Sequence, residues 1–179
     1  SMTDAIELAE DLAHNRGWIP VRQFSNPINL EAHYQGTGLE IAESMDRVDA
    51  VVAGIGTGGT IMGVGRRLRE RFPDVQVVGV EARLGDKLQG LRSLDEGFRP
   101  PLLELDALDG RFLVDSATAM KQARKVVQKE GIMAGISAGA TLHAGLRVAE
   151  KMDSGKIVVI FADGTWKYIP ARPWGAADQ

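Results

Sequence analysis

The sequence predicts an α/β fold, a doubly wound and mostly parallel sheet, on three observations. Near-continuous apolar runs of strand length recur at Val48–Ala53, Val75–Val80 and Ile157–Phe161, a pattern that suits parallel strands covered on both faces. Segments of helical periodicity alternate with them. Two junctions leading into helices are turns of small residues, Gly54–Thr60 and Ser137–Ala140, and ligands in such sheets bind beyond the carboxyl ends of the strands.

Each element follows in order. Thr3 caps a helix over Asp4–His14 that buries one side, Ala5, Ile6, Ala9, Leu12 and Ala13, with Gly17 just past its end. Trp18–Phe24 is extended and leads into the turn Ser25-Asn26-Pro27; a second helix over Leu39–Met45 precedes the strand Val48–Ala53. The glycine loop, a helix over Gly59–Arg71 and a strand ending at Glu81 come next. Residues 82–110, with Gly85, Gly90, Gly97, Pro100 and Pro101, form an irregular stretch of a length usually tied to function. A strand at Phe112–Val114 and a helix over Ala117–Glu130, stopped by Gly131, continue the alternation. The apolar segment Ile132–Ile136 then enters the second small-residue turn, repeating the opening pattern, and a helix to Met152 and the strand Ile157–Phe161 close the set.

With 179 residues and 44% hydrophobic content, the chain suits one well-buried domain. A net charge of −3 gives no basic surface for nucleic acid. The cluster Arg66, Arg67, Arg69 and Arg71 falls in the last turns of a helix, where cations complement the dipole, and Lys121, Lys125 and Lys129 mark one wet helix face. Zero cysteines exclude disulfides, a thiolate nucleophile and a Cys-ligated metal, and His14, His33 and His143 lack metal-ligand spacing, so no metal is expected. No apolar run reaches membrane-spanning length and the N-terminal residues do not resemble a signal peptide; the expectation is a cytoplasmic protein with no membrane partner.

Gly54–Thr60 places four glycines and two threonines within seven residues, directly after an apolar strand. Glycines remove the Cβ atoms that would keep an anion off the backbone, and the following helix directs free N–H groups and its positive dipole end to the same spot. Thr57 and Thr60 add hydroxyl donors. The run alone leaves the ligand open: Gly54-x-Gly56-x-x-Gly59 fits a dinucleotide fingerprint, with Glu81 where a ribose-binding acid would sit. The bland alternative is an ordinary strand-to-helix turn. Arg92, flanked by Leu91 and Leu94, is either a cation for a phosphate or carboxylate or a solvated surface arginine.

Five ordered motifs narrow this choice. They are Gln23-Phe24-Ser25-Asn26-Pro27, His33-Tyr34-x-x-Thr37-Gly38, Gly54-Ile55-Gly56-Thr57-Gly58-Gly59-Thr60, Glu130-Gly131-Ile132-x-Ala134-Gly135-Ile136-Ser137-x-Gly139 and Ala162-Asp163-Gly164-x-Trp166-Lys167-Tyr168. Together they resemble the cysteine synthases, pyridoxal-phosphate enzymes of fold type II related to cystathionine β-synthase. Arg83-x-Gly85 and Leu91–Phe98 are similar to the substrate-side loop of the branch that accepts O-phosphoserine. The resemblance implies that Gly56, Thr57, Gly58, Gly59 and Thr60 hold the 5′-phosphate of pyridoxal 5′-phosphate and that Ser137 meets its pyridine nitrogen. It implies that Gln23 contacts the substrate carboxylate and Arg92 the phosphate of O-phosphoserine. The implied reaction is β-replacement on O-acetylserine or O-phosphoserine, with a sulfur donor, to give L-cysteine in a homodimer.

The family's Schiff-base lysine lies in its N-terminal half, in a Ser-x-Lys motif followed by a Thr-x-x-Asn-Thr-Gly loop, and that ordered pair is absent here. The expectation is the larger, C-terminal part of such an enzyme, residues 3–179, inactive alone, with no catalytic residue assigned in this chain and Ser1-Met2 resembling a tag remnant. A nicotinamide-dependent dehydrogenase domain and a catalytically silent phosphate-binding module are the competing readings.

Overall fold

Side-chain alternation along one strand, Ala50–Gly54 (β1), separates the two larger cores, one on each face of the sheet. On one face Val51 and Ala53 pack with Ile55, Ile61, Val64, Leu68 and Val77; on the other, Ala50 and Val52 pack with Val78, Val80, Ala119, Ala140 and Ala144. All of these are buried, and each fully buried Ile, Leu or Val contributes roughly 1.5–3 kcal/mol of transfer free energy. The fold is that of a computed structural model describing residues 2–86 and 88–171; Ser1 of the expected tag remnant and Lys87 lie outside the described residues.

In chain order the elements are α1 (Met2–Arg16), α2 (Pro27–Gln35), α3 (Thr37–Ser44), β1, α4 (Gly59–Arg71), β2 (Gln76–Ala82), β3 (Gly110–Val114), α5 (Ser116–Glu130), α6 (Ile136–Ala149) and β4 (Ile157–Val159). The strands form one parallel sheet in the order β3-β2-β1-β4. Val51 stands between Val77 of β2 and Val158 of β4. Helix α4 covers one face; α6, with α5 packed against it, covers the other. The expected α/β doubly wound sheet is therefore present.

Four local expectations differ from the structure. Thr3 sits inside α1 rather than capping it, and no residue of α1 is buried. Its apolar stripe, Ala5, Ile6 and Ala9, instead lines an open groove against Pro20, Phe24 and Phe98, while a two-pronged ion pair from Arg22 to Glu10 (2.8 and 2.7 Å) ties the helix down. The turn at Asn26-Pro27 begins a helix, α2, that the periodicity does not reveal: Asn26 accepts from the Ile28 N–H and proline occupies the first helical positions, where its missing N–H costs nothing. Residues 132–136 do not enter the sheet; their only ladder contact among the described residues is an antiparallel bridge from Ala134 to Gly164. Finally, β4 is half-buried along its length because it forms the sheet edge. Residues 82–110 are irregular as expected, with two short 3₁₀ turns at Leu94–Glu96 and Leu105–Ala107.

Candidate functional site

The loop between β1 and α4 turns on Gly58, whose left-handed backbone (φ 88°) occupies the N-cap position of α4 and brings no capping side chain of its own. A residue with a Cβ pays a steric penalty there, and the Cβ would also press on Leu103 at 3.1 Å. The backbone N–H groups of Gly56, Thr57 and Gly58 have no hydrogen-bond partner among the described residues. Thr57 Oγ1 accepts from the Gly59 N–H (3.2 Å) and from Asn29 Nδ2 (2.9 Å). Both of its lone pairs are thereby used, leaving its O–H as a donor. Thr60 Oγ1 lies 3.0 Å from His33 Nε2, and His33 Nδ1 lies 3.3 Å from Thr37 Oγ1. Burial pushes the His33 imidazole below its usual value.

Across the cavity, the N-terminus of α6 presents Ser137. Its side chain is buried, and its hydroxyl has no partner among the described residues. The segment 133–135 runs beside 163–165 through Gly135 N–H to Asp163 C=O (3.0 Å) and Thr165 N–H to Met133 C=O (3.0 Å). That pairing brings the Asp163 carboxylate to the Ser137 and Ala138 N–H groups at 3.0 and 2.8 Å. Tyr168 donates its phenol hydrogen to the same carboxylate. Burial first, and then Asp163, push the Tyr168 phenol well above its usual range, so it stays a donor.

Gly56, Thr57, Gly58, Thr60 and Ser137 line one cavity of about 130 Å³, together with Gly54, Gly90, Leu91, Thr141, Ile160 and Ala162. Gly59 directs its N–H to Thr57 from just behind the wall. Thus five of the six residues expected to hold the cofactor share a cavity, and the sixth braces it. Unpaired donors at one helix start and an unpartnered buried hydroxyl at the other fit a phosphorylated heteroaromatic group.

Gln23 and Arg92 do not line this cavity. Gln23 is exposed in the turn before α2, on the groove beside α1. Arg92 is half-buried next to the cavity residue Leu91. Its main chain bridges the sheet ends, donating to Ile55 C=O and accepting from the Ala82 N–H (both 3.1 Å), and its guanidinium lies 5.8 Å from the Phe24 ring centroid. Arg92 has no carboxylate partner among the described residues.

Glu81 is not available to a ribose. Its buried carboxylate accepts from Arg111 Nη1 and the Leu94 N–H, both at 2.9 Å. Among the described residues no lysine lines the cavity. Lys156 does stand two residues after a serine, Ser154, so its spacing alone does not set it apart from the family's lysine motif. The structure does so: Lys156 pairs with Asp46 on the exposed surface beside β4. Among the described residues there is no cluster suited to a metal and no helix long and apolar enough to cross a membrane.

Asn29 and His33 are functional candidates that the sequence reading leaves out of the site. They lie four apart on α2 and so share a face, a signal that becomes legible once Asn26-Pro27 is read as a helix start.

Residues 1–163 match the family described as pyridoxal-phosphate dependent enzyme. The chain is 37% identical over 168 residues to a cysteine synthase of Staphylococcus aureus (strain Mu50), covering 89% of this chain and 54% of that protein. It is also 37% identical over 158 residues to a cysteine synthase of Aquifex aeolicus, covering 85% and 48%. Among solved structures, O-acetyl serine sulfhydrylase isoform 3 from Entamoeba histolytica superposes with a TM-score of 0.89 at 31% identity, over 100% of this chain and 57% of that one. The chain spans about half the length of the curated relatives it matches.

Proposed function

Because the chain belongs to the pyridoxal-phosphate dependent enzyme family, we propose that it forms the phosphate- and ring-nitrogen-binding part of a cysteine synthase. The proposed reaction is β-replacement on O-acetylserine or O-phosphoserine with a sulfur donor, yielding L-cysteine. One observation carries the reading: the buried, unpartnered Ser137 hydroxyl shares a cavity with the unpaired donors of Gly56–Gly58. A bare strand-to-helix turn gives no reason for the hydroxyl, and Glu81 is too fully engaged for the dinucleotide reading.

Pyridoxal phosphate supplies, when bound, a conjugated ring that withdraws electrons from the amino acid's α-carbon. In this reading the loop N–H groups, Thr57 and Thr60 hold the phosphate dianion at the N-terminus of α4. Ser137 meets the pyridine nitrogen with a neutral hydroxyl, leaving the nitrogen largely unprotonated. That limits the ring as an electron sink and favours elimination over reactions needing a long-lived carbanion. Gln23 takes the substrate carboxylate. Arg92, with no carboxylate partner among the described residues, takes the phosphate of O-phosphoserine with its planar guanidinium. The lysine is supplied from outside these 179 residues, so the isolated chain turns over nothing. Homodimeric assembly and a cytoplasmic setting belong to the same proposal.

The test is cysteine formation by the protein at its full natural length, from sulfide with O-phosphoserine or O-acetylserine. Arg92→Ala is expected to reduce kcat/KM for O-phosphoserine at least about tenfold, the worth of one charge-assisted contact, and to spare O-acetylserine. Absence of cysteine from both substrates overturns the reading.

A further inference from the structure

We propose that Asn29 is a positioning residue that couples the cofactor-phosphate loop to the substrate-carboxylate turn, so that filling one orders the other. Its amide nitrogen donates both hydrogens, one to the Gln23 carbonyl at 2.7 Å and one to Thr57 Oγ1 at 2.9 Å. The carbonyl acceptor at Gln23 fixes the amide's orientation, since only the NH₂ side can face it. On the other flank, Asn29 Oδ1 rests against Gly59, where a Cβ would approach within 2.2 Å. The amide can therefore reach Thr57 only because residue 59 is glycine.

The turn that Asn29 grips is strained. Arg22, just before Gln23, is the one non-glycine residue with positive φ (53°) among the described residues. Its carbonyl accepts from the Ser25 and Asn26 N–H groups at 2.9 and 2.8 Å, and its side chain is held by Glu10. Gln23 thus sits in a tight turn with one anchor on α1 and the other, through Asn29, on Thr57. A phosphate that takes the Thr57 O–H fixes that hydroxyl, and hence the Asn29 bond and the Gln23 main chain.

The proposal rests on reading Gly56–Thr60 as the phosphate loop, and the test separates the two. The probe is 4-deoxypyridoxine 5′-phosphate, which has no aldehyde to react with stray lysines, at saturation; the readout is amide hydrogen exchange at Ser25 and Asn26 by NMR. The wild-type chain is expected to show exchange at both slowed roughly fivefold by the ligand, about the net worth of one hydrogen bond. Asn29→Asp keeps the size but loses both donors; it should bind roughly tenfold more weakly and show no ligand-dependent slowing. Thr57→Val cuts the link from the other end and should also lose the slowing, whereas Thr57→Ser, which keeps the hydroxyl, restores it. These two serve equally if Asn29→Asp does not fold. A purely structural Asn29 would change exchange with and without ligand alike. Slowing that persists in Asn29→Asp or Thr57→Val, or wild-type binding without slowing, overturns the coupling alone. No binding by wild type overturns the phosphate-loop reading and the coupling with it.

Discussion

Asp163 holds Ser137 by its backbone: the carboxylate accepts the Ser137 N–H at 3.0 Å and the next N–H, of Ala138, at 2.8 Å. A residue after the last strand thereby caps a helix that starts 27 positions earlier, at Ile136, and fixes where the Ser137 hydroxyl points. Asp163→Asn keeps the shape but removes the charge. The expected cost is about 1 kcal/mol of stability, typical of a lost cap, read as a fall of roughly 2–4 °C in Tm, with weaker binding of 4-deoxypyridoxine 5′-phosphate.

Ser137→Ala should behave differently. The hydroxyl has no partner among the described residues to lose, so stability should stay within about 0.5 kcal/mol of wild type. Affinity for the pyridine ligand should drop several-fold, while inorganic phosphate, which the proposed reading places on the Gly56–Thr60 loop, should bind unchanged in a calorimetric titration. An equal loss for both probes would contradict the ring-nitrogen role.

Gly58→Ala should damage fold and site together. Left-handed backbone disfavours alanine by roughly 1–2 kcal/mol, and the new methyl would meet Leu103 at 3.1 Å. Urea unfolding should show that loss, and phosphate affinity should fall with it because the loop N–H groups would be re-aimed.

His33 gives the protein an acid-sensitive element. Burial holds its imidazole below the usual 6.5, so the unfolded chain takes up the proton first as pH falls. Stability from this residue is present above 6.5 and is lost progressively below it, levelling off once the folded value is passed. NMR titration of the ring should give a midpoint under 6.5. The urea midpoint should fall between about pH 7 and pH 5, and His33→Gln should flatten that dependence.

Arg111→Ala should destabilise more than its surface position suggests. It would leave the Glu81 carboxylate buried with only the Leu94 N–H. The expected loss is about 2–3 kcal/mol, below the full range for a broken buried pair because Arg111 itself is substantially exposed. Phosphate binding should be spared, since Glu81 does not line the cavity.

Much of this was legible in the residues themselves. Val51, Val77 and Val158, adjacent in the sheet, belong to the three apolar runs that announce strands, and α4 runs from Gly59 to Arg71 as its pattern indicates. What escaped was set by tertiary contact. Helix α2 is short and its packing against α4 replaces amphipathic contrast, so only Asn26-Pro27 betrayed it. Residues 132–136 look like a strand because they are apolar, yet Ile132 and Met133 are exposed and the segment pairs with Gly164 instead. Periodicity likewise cannot show that Asn29 reaches Thr57, a contact made across 28 positions.

The two helix starts at the cavity are unequal. Helix α6 begins with the Ser137 and Ala138 N–H groups held by the Asp163 carboxylate, whereas at α4 the Gly59 N–H meets only the neutral Thr57 hydroxyl and the N–H groups of Gly56–Gly58 have no partner among the described residues. The cavity is therefore an electrical one-way socket. An elongated ligand with one anionic end gains from inserting that end toward α4 and meets an internal negative charge if it enters reversed. Head-to-tail orientation is thus selected by the protein's own charge layout before any side chain reads the ligand's shape.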